Sequence, residues 1–366
     1  MSGSFDGEAV RKRVQSVPAG PARTEAYLAA IREADLSGDT YWRQNLRADM
    51  VLWTGFYDDC PKILPVCAEF FALFEEEPHA MGAELAAFNQ YLVAHKAAEL
   101  CVLLPQLELP VCIGLLDQLE RVVKRVGDGM RRRDMALCEF YLYVDAEKSQ
   151  QYFARFLMPC RDEFSSCRAC EQDFKVWYYL HTGDLEKAKY LAKPIFLGQY
   201  VCDSVPSHTY ASFIQYYLDQ GDVDSMKPLL SPLVYKGLHD RSDLLYLAAA
   251  IRGLAFTDPK KGVKLLRQGI GWSEGLWDRQ SMYEFYKGIW CLCTAPALEG
   301  TRVPFPADMS APEGPCTAPI LGAWARKQAE KIAKAFDRRN GTRWYQENLE
   351  RAVSSTEKIW RDGNGK

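Results

Sequence analysis

The sequence predicts an all-α fold built from stacked helical hairpins. Three observations lead to this prediction: an aromatic helix pattern that recurs after 38 residues, a Gly or Asp turn that ends each copy, and the lack of any sustained alternation of apolar and polar residues. The first two describe a helix, a tight turn and a second helix, and the third argues against a sheet. Because a pair of helices cannot bury its apolar face alone, neighbouring pairs must stack.

The two clearest copies share a Tyr-Tyr-Leu motif followed by a Gly-Asp turn. They occupy 177–188 and 215–224, and Gly183 and Gly221 are 38 residues apart. Glycine adopts the left-handed conformation that ends many helices, and the aspartate after it accepts backbone N–H bonds as the N-cap of the next helix. An upstream copy at 140–145 has Asp in the position of the glycine.

Composition divides the chain into four segments. We expect a flexible N-terminal segment at 1–22, a helical repeat array at 23–294, a Pro-rich loop at 295–318 and a basic helical pair at 319–366 that caps the array. Within these segments the apolar periodicity predicts helices at 23–35, 39–54, 59–75, 80–98, 109–126, 130–143, 146–158, 171–182, 184–198, 208–220, 222–236, 240–256, 259–270, 276–292, 319–338 and 343–361.

The composition indicates a protein with a large hydrophobic core, and the net charge is small. The 366 residues are 48% hydrophobic and 25% charged, and the formal net charge is −3, which gives no drive towards nucleic acid or acidic membranes. The first residues lack the apolar segment of a secretory signal, and no stretch approaches the about 20 apolar residues of a spanning helix. Several of the 12 cysteines fall in apolar helical patterns that suit free thiols. We therefore expect a cytoplasmic protein.

The repeated units resemble the tetratricopeptide repeat (TPR). In that family an aromatic helix A ends in Gly-Asp or Gly-Asn, and a small residue stands five positions after the glycine. Ala188 matches that position after Gly183, whereas Met226 follows Gly221, and the spacing of 38 residues exceeds the family's usual period of about 34. The resemblance covers roughly residues 24–290. It implies a TPR-like right-handed superhelix (an α-solenoid) of antiparallel hairpins, whose A helices line a concave groove for a peptide or protein.

The family's register also implies which side chains face that groove. Aromatic side chains offer contact area at low entropic cost, and charges fix the orientation of an extended segment. For Trp177 and Leu180, packing between neighbouring units stays open as an alternative. The candidate partner-binding residues are Arg132, Glu139, Tyr143, Asp173, Trp177, Leu180, His181, His208, Gln215 and Asp219.

Three cysteines in one predicted loop are the candidate metal ligands. Cys160, Cys167 and Cys170 have C-x6-C-x2-C spacing, and tetrahedral zinc uses C-x2-C pairs. A second such pair is missing, so a redox or disulfide pair and ordinary packing thiols remain alternatives, and no metal or other cofactor is predicted. The candidates for a fourth ligand are Cys138, His181 and Cys202.

No catalytic motif for nucleotide binding, serine hydrolysis, zinc proteolysis or calcium binding occurs in the sequence. We therefore predict a non-catalytic scaffold or adaptor that holds a peptide or protein partner in the groove, with no nucleic-acid or membrane partner. A toxin-neutralising immunity protein or a peptide-sensing regulator is an alternative within the binding class. The other class is an α-helical enzyme, which requires catalytic groups that converge on a closed pocket with shifted pKa values. Its candidate groups are Asp173, His181, His208 and Asp219.

Overall fold

The computed structural model describes residues 5–54 and 60–363, and this part of the chain is all-α, as predicted. It contains 17 α-helices, four short 3₁₀ turns and no strand, and an isolated bridge joins Arg302 to Thr317. None of the described helices combines the length and the apolar character needed to cross a membrane. The helices are α1 (Gly7–Gln15), α2 (Pro21–Ser37), α3 (Thr40–Trp53), α4 (Ile63–Glu76), α5 (Ala83–Leu103), α6 (Leu109–Val126), α7 (Met130–Leu142), α8 (Ala146–Phe156), α9 (Arg168–His181), α10 (Leu185–Phe196), α11 (Ser207–Gln220), α12 (Val223–Lys236), α13 (Leu244–Ala255), α14 (Pro259–Gly269), α15 (Arg279–Cys293), α16 (Ala318–Asn340) and α17 (Trp344–Arg361).

The repeated turns form for the reasons that their residues predict. Gly183, one residue beyond the C-cap Thr182 of α9, and Gly221, the C-cap of α11, adopt φ angles of +86° and +76°, a conformation that costs glycine little because it has no Cβ. Asp184 and Asp222 each accept a backbone N–H bond of 3.0 Å and cap α10 and α12. These local contacts keep both connections short, and the helices on either side of each connection pack on each other.

Helix α1 forms in a segment for which the sequence predicts flexible chain. Residues 1–22 show no repeat, but the Asp6 carboxylate accepts a 3.0 Å hydrogen bond from a backbone N–H and caps the helix. Val10 and Val14, one turn apart on the same side, are buried in the core. The expectation of a flexible segment is therefore wrong for Gly7–Gln15, because a short amphipathic helix packs on the core there.

Helix α9 begins earlier than the sequence predicts. Its first residue is Arg168 rather than 171, because the Sγ of Cys167 accepts the backbone N–H of Cys170 at 3.3 Å and serves as the N-cap. Cysteine is not among the preferred N-cap residues, so the pattern does not indicate this start. The predicted start of a helix at residue 59 lies outside the described residues.

The chain forms two compact units, and unit 1 comprises Met1–Ser165 with Gly275–Asp278. It contains α1 to α8. Helices α2 and α3, α3 and α4, α5 and α6, and α7 and α8 pack as neighbours, while α3, α5 and α7 contact one another in series. The core of unit 1 is apolar, and Tyr27, Leu46 and Phe70 are completely buried in it.

Unit 2 comprises Ser166–Glu274 with Arg279–Lys366 and contains α9 to α17. Helices α9 and α10, α11 and α12, and α13 and α14 pack as pairs, and α9, α11, α13 and α15 contact one another in series. Helix α16 packs on α15, and α17 contacts α11, α15 and α16. The predicted Pro-rich loop at 295–318 follows α15, and it buries Leu298 and Cys316 rather than running free of the core.

Candidate functional site

In unit 2 the helix α17 covers one side of a series of helices. Two stretches of these helices are buried at every residue. They are 247–255 of α13 together with the next residue, Phe256, and 285–293 of α15. These stretches of α13 and α15 are therefore closed to solvent. We call the covered side the α17-covered face and define it by the residues in contact with α17, which are His181, Phe256, Tyr283, Lys287 and Cys291.

At one end of the α17-covered face, His181 lies beside two tryptophans. Its ring centroid is 4.3 Å from that of Trp177 and 6.2 Å from that of Trp344 on α17, and its Nδ1 lies 2.9 Å from the Trp177 carbonyl oxygen. His181 is exposed as a whole residue, yet the protein atoms packed around its ring lower its pKa to about 4, and the nearby charges of His208 and Lys287 act in the same direction. At neutral pH, His181 therefore meets α17 as a neutral ring.

Polar contacts tie the first turns of α17 to α15. The buried Tyr283 hydroxyl lies 2.9 Å from both the Tyr345 carbonyl oxygen and Asn348 Oδ1, which are its acceptors. The Lys287 ammonium, only 1% exposed, donates to Asn348 Oδ1 at 2.9 Å and to Glu284 at 2.8 Å. A buried ammonium is costly unless it is paired, so this cluster fixes the position of α17 along α15.

At the other end, Trp360 and Thr356 hold α17 in place. The Trp360 ring centroid is 4.9 Å from that of Phe256, and its Nε1 donates to Thr294 Oγ1 at 3.2 Å. The Thr356 hydroxyl lies 3.6 Å from the Cys291 thiol, and both residues are buried. Helix α17 is therefore held from its first residue to its last turn, as part of the folded unit.

A buried ion pair joins α11 to α13. Asp219 Oδ1 accepts from Arg252 Nη2 at 2.5 Å, and Arg252 is 1% exposed. Burial acts to lower the pKa of Arg252, but the Asp219 carboxylate outweighs it and raises the pKa above the ordinary value. The guanidinium Nε and Nη1 have no hydrogen-bond partner in the described part of the chain. Asp219, a predicted groove residue, is thus committed to a structural pair.

Asp173 on α9 holds two residues of α11. Its Oδ2 lies 2.6 Å from His208 Nδ1, and its Oδ1 accepts from the Thr209 hydroxyl at 2.5 Å. The Thr209 hydroxyl donates to the carboxylate and is not presented to His208 as a nucleophile. The charges of His208 and Asp219 act on the pKa of His181, so the candidate groups of the enzyme alternative lie near one another. However, Asp173 pairs with His208 and Asp219 pairs with Arg252. These pairs fasten helices to one another.

In unit 1, helices α5 and α7 each leave one line of side chains partly open to solvent. Between 89 and 102 on α5, and between 131 and 141 on α7, all other residues are buried. The open positions follow the spacing of one helix face. Tyr143, predicted to face a groove here, is 3% exposed and lies in the core. We call the open positions the α5–α7 stripe, which consists of Leu92, Lys96, Glu99, Arg132, Met135, Ala136 and Glu139.

The charges of the α5–α7 stripe meet at Glu99. Its carboxylate lies 3.3 Å from His95 Nδ1, 3.3 Å from Lys96 Nζ and 4.0 Å from Arg132 Nη2 on the other helix. Burial acts to raise the pKa of Glu99, but the His95 hydrogen bond and the nearby positive charges outweigh it and lower the pKa to about 2. Burial also lowers the pKa of His95, although the Glu99 carboxylate acts to raise it, and Lys96 and Arg132 are the other cations beside that carboxylate. The side chains of these two cations and of Glu99 are 18–34% exposed.

Three thiols meet at the start of α9 in unit 2. The Sγ atoms of Cys167, Cys170 and Cys202 lie within 4.8 Å of one another, and those of Cys170 and Cys202 are 3.6 Å apart. Burial acts to raise the pKa of Cys167, but the N–H of Cys170 and the neighbouring thiols outweigh it and lower the pKa. The predicted set is corrected in one member, because Cys160 lies in unit 1 and Cys202 completes the group.

A half-open cleft of about 470 Å³ lies between α12, α14 and the turn after α14. Lys261, Lys264, His239 and Trp272 are among the residues that line it, and both lysines are exposed. None of the residues predicted to bind a partner lines this cleft. Exposed lysines alone do not make an anion site.

The residues predicted from the sequence fall into several different environments. Arg132 and Glu139 are half-exposed in unit 1, while His208, Gln215 and Asp219 are half-exposed in unit 2. The buried ones are Tyr143, Asp173, Trp177 and Leu180.

Three important residues were not predicted as part of a binding or pairing cluster. Arg252 carries a usable signal, since a lone charge within an apolar helix implies a buried partner. Glu99 follows His95 by four positions, a spacing that brings two side chains of a helix together. For Cys202, which was considered only as a fourth metal ligand, no local pattern indicates the two thiols that it joins.

Comparison with known proteins gives no relative for this chain. No family model matches it, and neither does any curated protein or any solved structure. The likeness to the tetratricopeptide repeat therefore rests on the turn residues and spacing described above.

Proposed function

We propose that this protein is a non-catalytic helical scaffold that binds an extended segment of a protein partner along the α5–α7 stripe of unit 1. The observation that carries the proposal is the stripe itself. Two helices that are otherwise buried leave one line of half-exposed side chains each, and the Glu99–Arg132 pair links the two lines. Because the other sides of α5 and α7 are covered by neighbouring elements, the stripe forms the floor of a flanked surface. Helical arrays bind peptides on surfaces of this kind.

The chemistry of the stripe suits an extended segment with side chains of both charge signs. Leu92 and Met135 supply apolar contact area, and Met adapts well to different partners. Lys96 and Arg132 offer positive charge, and Glu99 offers negative charge. The ion pairs with Lys96 and Arg132 fix the position of the Glu99 carboxylate. Because these groups are fixed before binding, less conformational entropy is lost when a partner docks.

The polar groups of unit 2 support a scaffold rather than an enzyme. Each candidate catalytic carboxylate is engaged by a residue on the next helix of the series, Asp173 by His208 and Asp219 by Arg252. The pairs therefore stabilise helix packing. His181 contacts α17 and so belongs to the folded unit.

We further infer that the hairpins continue in the manner of a TPR-like right-handed superhelix. The serial contacts of alternate helices within each unit support this, as does the burial of Ala188 and Met226, five positions after the two turn glycines. A cytoplasmic location and a protein or peptide partner, rather than nucleic acid or a membrane, belong to the same proposal. The formal net charge of −3 supports that choice of partner.

Position-specific photo-cross-linking tests the proposal with the full-length protein. A photoreactive phenylalanine derivative replaces Met135 on the stripe or, as the control, the 86% exposed Tyr235 in unit 2. After irradiation in lysate of the native source, we expect a discrete protein adduct from position 135 and none of the same mass from position 235. Equal adducts from both positions, or none from 135, would contradict the proposal.

Charge variants then test the recognition chemistry with the identified partner. Arg132→Glu should weaken binding by about tenfold or more, because it places two carboxylates side by side on the stripe. The double variant Glu99→Arg/Arg132→Glu restores an ion pair and should fold normally, yet it should still bind weakly because the charges are exchanged. Arg338→Glu, at an exposed position on α16, is the matched control and should bind as the wild type does.

A further inference from the structure

The thiols of Cys167, Cys170 and Cys202 have the arrangement of a metal-ligand set. All three Sγ atoms lie within 4.8 Å of one another, and Cys170 and Cys202 are 3.6 Å apart. When two thiolates share one tetrahedral Zn²⁺ ion at about 2.3 Å each, their sulfur atoms are about 3.8 Å apart. The spacing of Cys170 and Cys202 is thus close to that of two sulfur atoms around one ion, and the third thiol lies within 4.8 Å of both.

We propose that Cys167, Cys170 and Cys202 bind one thiophilic metal ion, with Zn²⁺ as the biological ion, as three thiolates. Each thiol releases its proton to solvent when it binds the ion. Three protein ligands leave a fourth tetrahedral position, and we assign it to water, since Cys167 is exposed and the other two cysteines are half-buried.

Local structure already orients two of the ligands. Cys167 is the N-cap of α9, and its Sγ accepts the Cys170 N–H at 3.3 Å, so the C-x2-C pair is wrapped around the first turn of the helix. Thiolates are stabilised at a helix N-terminus by the aligned N–H groups. The third ligand comes from the connection between α10 and α11, where the Cys202 N–H donates to the Val205 carbonyl at 3.0 Å. A bound ion would tie this connection to the start of α9.

A disulfide explains the arrangement less completely. It joins two sulfur atoms at about 2.05 Å and has no place for a third. Cys170 and Cys202 are 3.6 Å apart, and Cys167 is also within 4.8 Å of both. One ion accounts for all three thiols, so the disulfide is treated as a competing outcome of the experiment.

Cobalt titration of the reduced full-length protein tests this inference. Co²⁺ bound to thiolates gives an intense charge-transfer absorption that Zn²⁺ removes when it displaces the cobalt. We expect one equivalent of Co²⁺ to bind, with Zn²⁺ displacing it. Cys202→Ser should weaken the binding by about tenfold or more. Cys160→Ser, which removes an exposed thiol of unit 1, is the matched control and should bind as the wild type does.

Results of two kinds would overturn the inference, one from the cobalt titration and one from the purified protein. One is a folded wild-type protein, verified by circular dichroism, that shows no thiolate–cobalt absorption, or a Cys202→Ser variant that binds Co²⁺ as tightly as the wild type. The other is purified protein that carries no zinc and whose intact mass is lower by two hydrogens, with Cys170 and Cys202 joined in the peptide map. Neither result bears on partner binding by the α5–α7 stripe, because that proposal concerns unit 1.

Discussion

Helices α5 and α7 of unit 1 and helices α13 and α15 of unit 2 belong to similar series of contacting helices, yet they differ in what reaches solvent. The first two keep the half-exposed α5–α7 stripe, whereas the second two are buried without interruption over 247–256 and 285–293. The burial in unit 2 comes mainly from the helices packed on these two, α15 on α13 and α16 on α15, and α17 adds further contacts to α15. The same kind of helical surface thus serves as a docking site in one unit, by our proposal, and as core in the other.

The charged side chains of these two helical surfaces also differ in how exposed they are to solvent. In unit 1, the side chains of Glu99 and Arg132 are 34% and 30% exposed, so water shares in their solvation. In unit 2, Arg252 and Lys287 are each 1% exposed and depend on Asp219 and Glu284 for compensation. Removing the ion-pair partner of a buried charge lowers the free energy of unfolding far more than removing the partner of an exposed charge. The ion pairs of Arg252 and Lys287 should therefore be more sensitive to single substitutions than the charges of the α5–α7 stripe.

The largest effect is expected from the ion pair of unit 2. Asp219→Ala removes the carboxylate that, among the described residues, bonds the buried Arg252, and we expect the free energy of unfolding to fall by about 3–5 kcal/mol. Urea unfolding of the full-length protein, followed by circular dichroism, measures this. The matched control is Asp224→Ala, since Asp224 is 91% exposed and pairs with Lys227 at 2.8 Å, and it should cost about 1 kcal/mol or less. Equal losses would show that burial does not set the cost of these pairs.

A smaller effect is expected where α15 meets α17. Tyr283→Phe removes the hydroxyl that binds the Tyr345 carbonyl and Asn348, and it should cost about 1–3 kcal/mol. Tyr286→Phe is the matched control, because Tyr286 is also buried on α15 but bonds Asp308 at 3.3 Å and not α17. Hydrogen exchange should accelerate in the first turns of α17 only in the first variant. If both variants leave α17 equally protected, the α15 hydroxyl does not hold the helix.

The helices of both units could be predicted because their signals are local. Apolar spacing and Asp caps lie within a few residues of the elements that they form, as at Asp184 and Asp222. Helix α1 was missed although Asp6, Val10 and Val14 carry the same kind of signal over fewer turns. The helix was missed because it is short, and not because its sequence lacks the pattern.

The role of α17 could not be predicted in the same way. Its buried residues Tyr345, Leu349, Ala352, Thr356 and Ile359 alternate in steps of three and four, which indicates that one side is covered. The spacing does not say which surface covers it, because that depends on contacts with α11 and α15 far away in sequence. The thiol cluster could not be fully predicted for the same reason, since the spacing of a C-x2-C pair does not indicate which distant cysteine lies beside it.

Acid should weaken unit 2 through His181. Its pKa is lowered to about 4 in the folded chain from an ordinary value of 6.5, so the unfolded chain binds more protons between these values. The contribution of neutral His181 to stability is present above pH 6.5 and is lost as the pH falls towards 4. His181→Gln should lose less stability than the wild type between pH 7 and 4.5 in urea unfolding. His79→Gln, at an exposed position in unit 1, should follow the wild type, and identical pH profiles for all three proteins would contradict the assignment.

The smallest effect is expected from Glu99 in unit 1, at lower pH. Its pKa is lowered to about 2 from 4.5, so the stability that the carboxylate contributes is present above pH 4.5 and is lost as the pH falls through 2. Because a third of the side chain is exposed, the loss should be small. Glu99→Gln should flatten the stability profile between pH 5 and 2.5, measured by hydrogen exchange in α5. Glu120→Gln, which removes an ion pair with the 69% exposed Lys124, should flatten it less, and equal flattening would remove the distinction between the stripe and an ordinary surface pair.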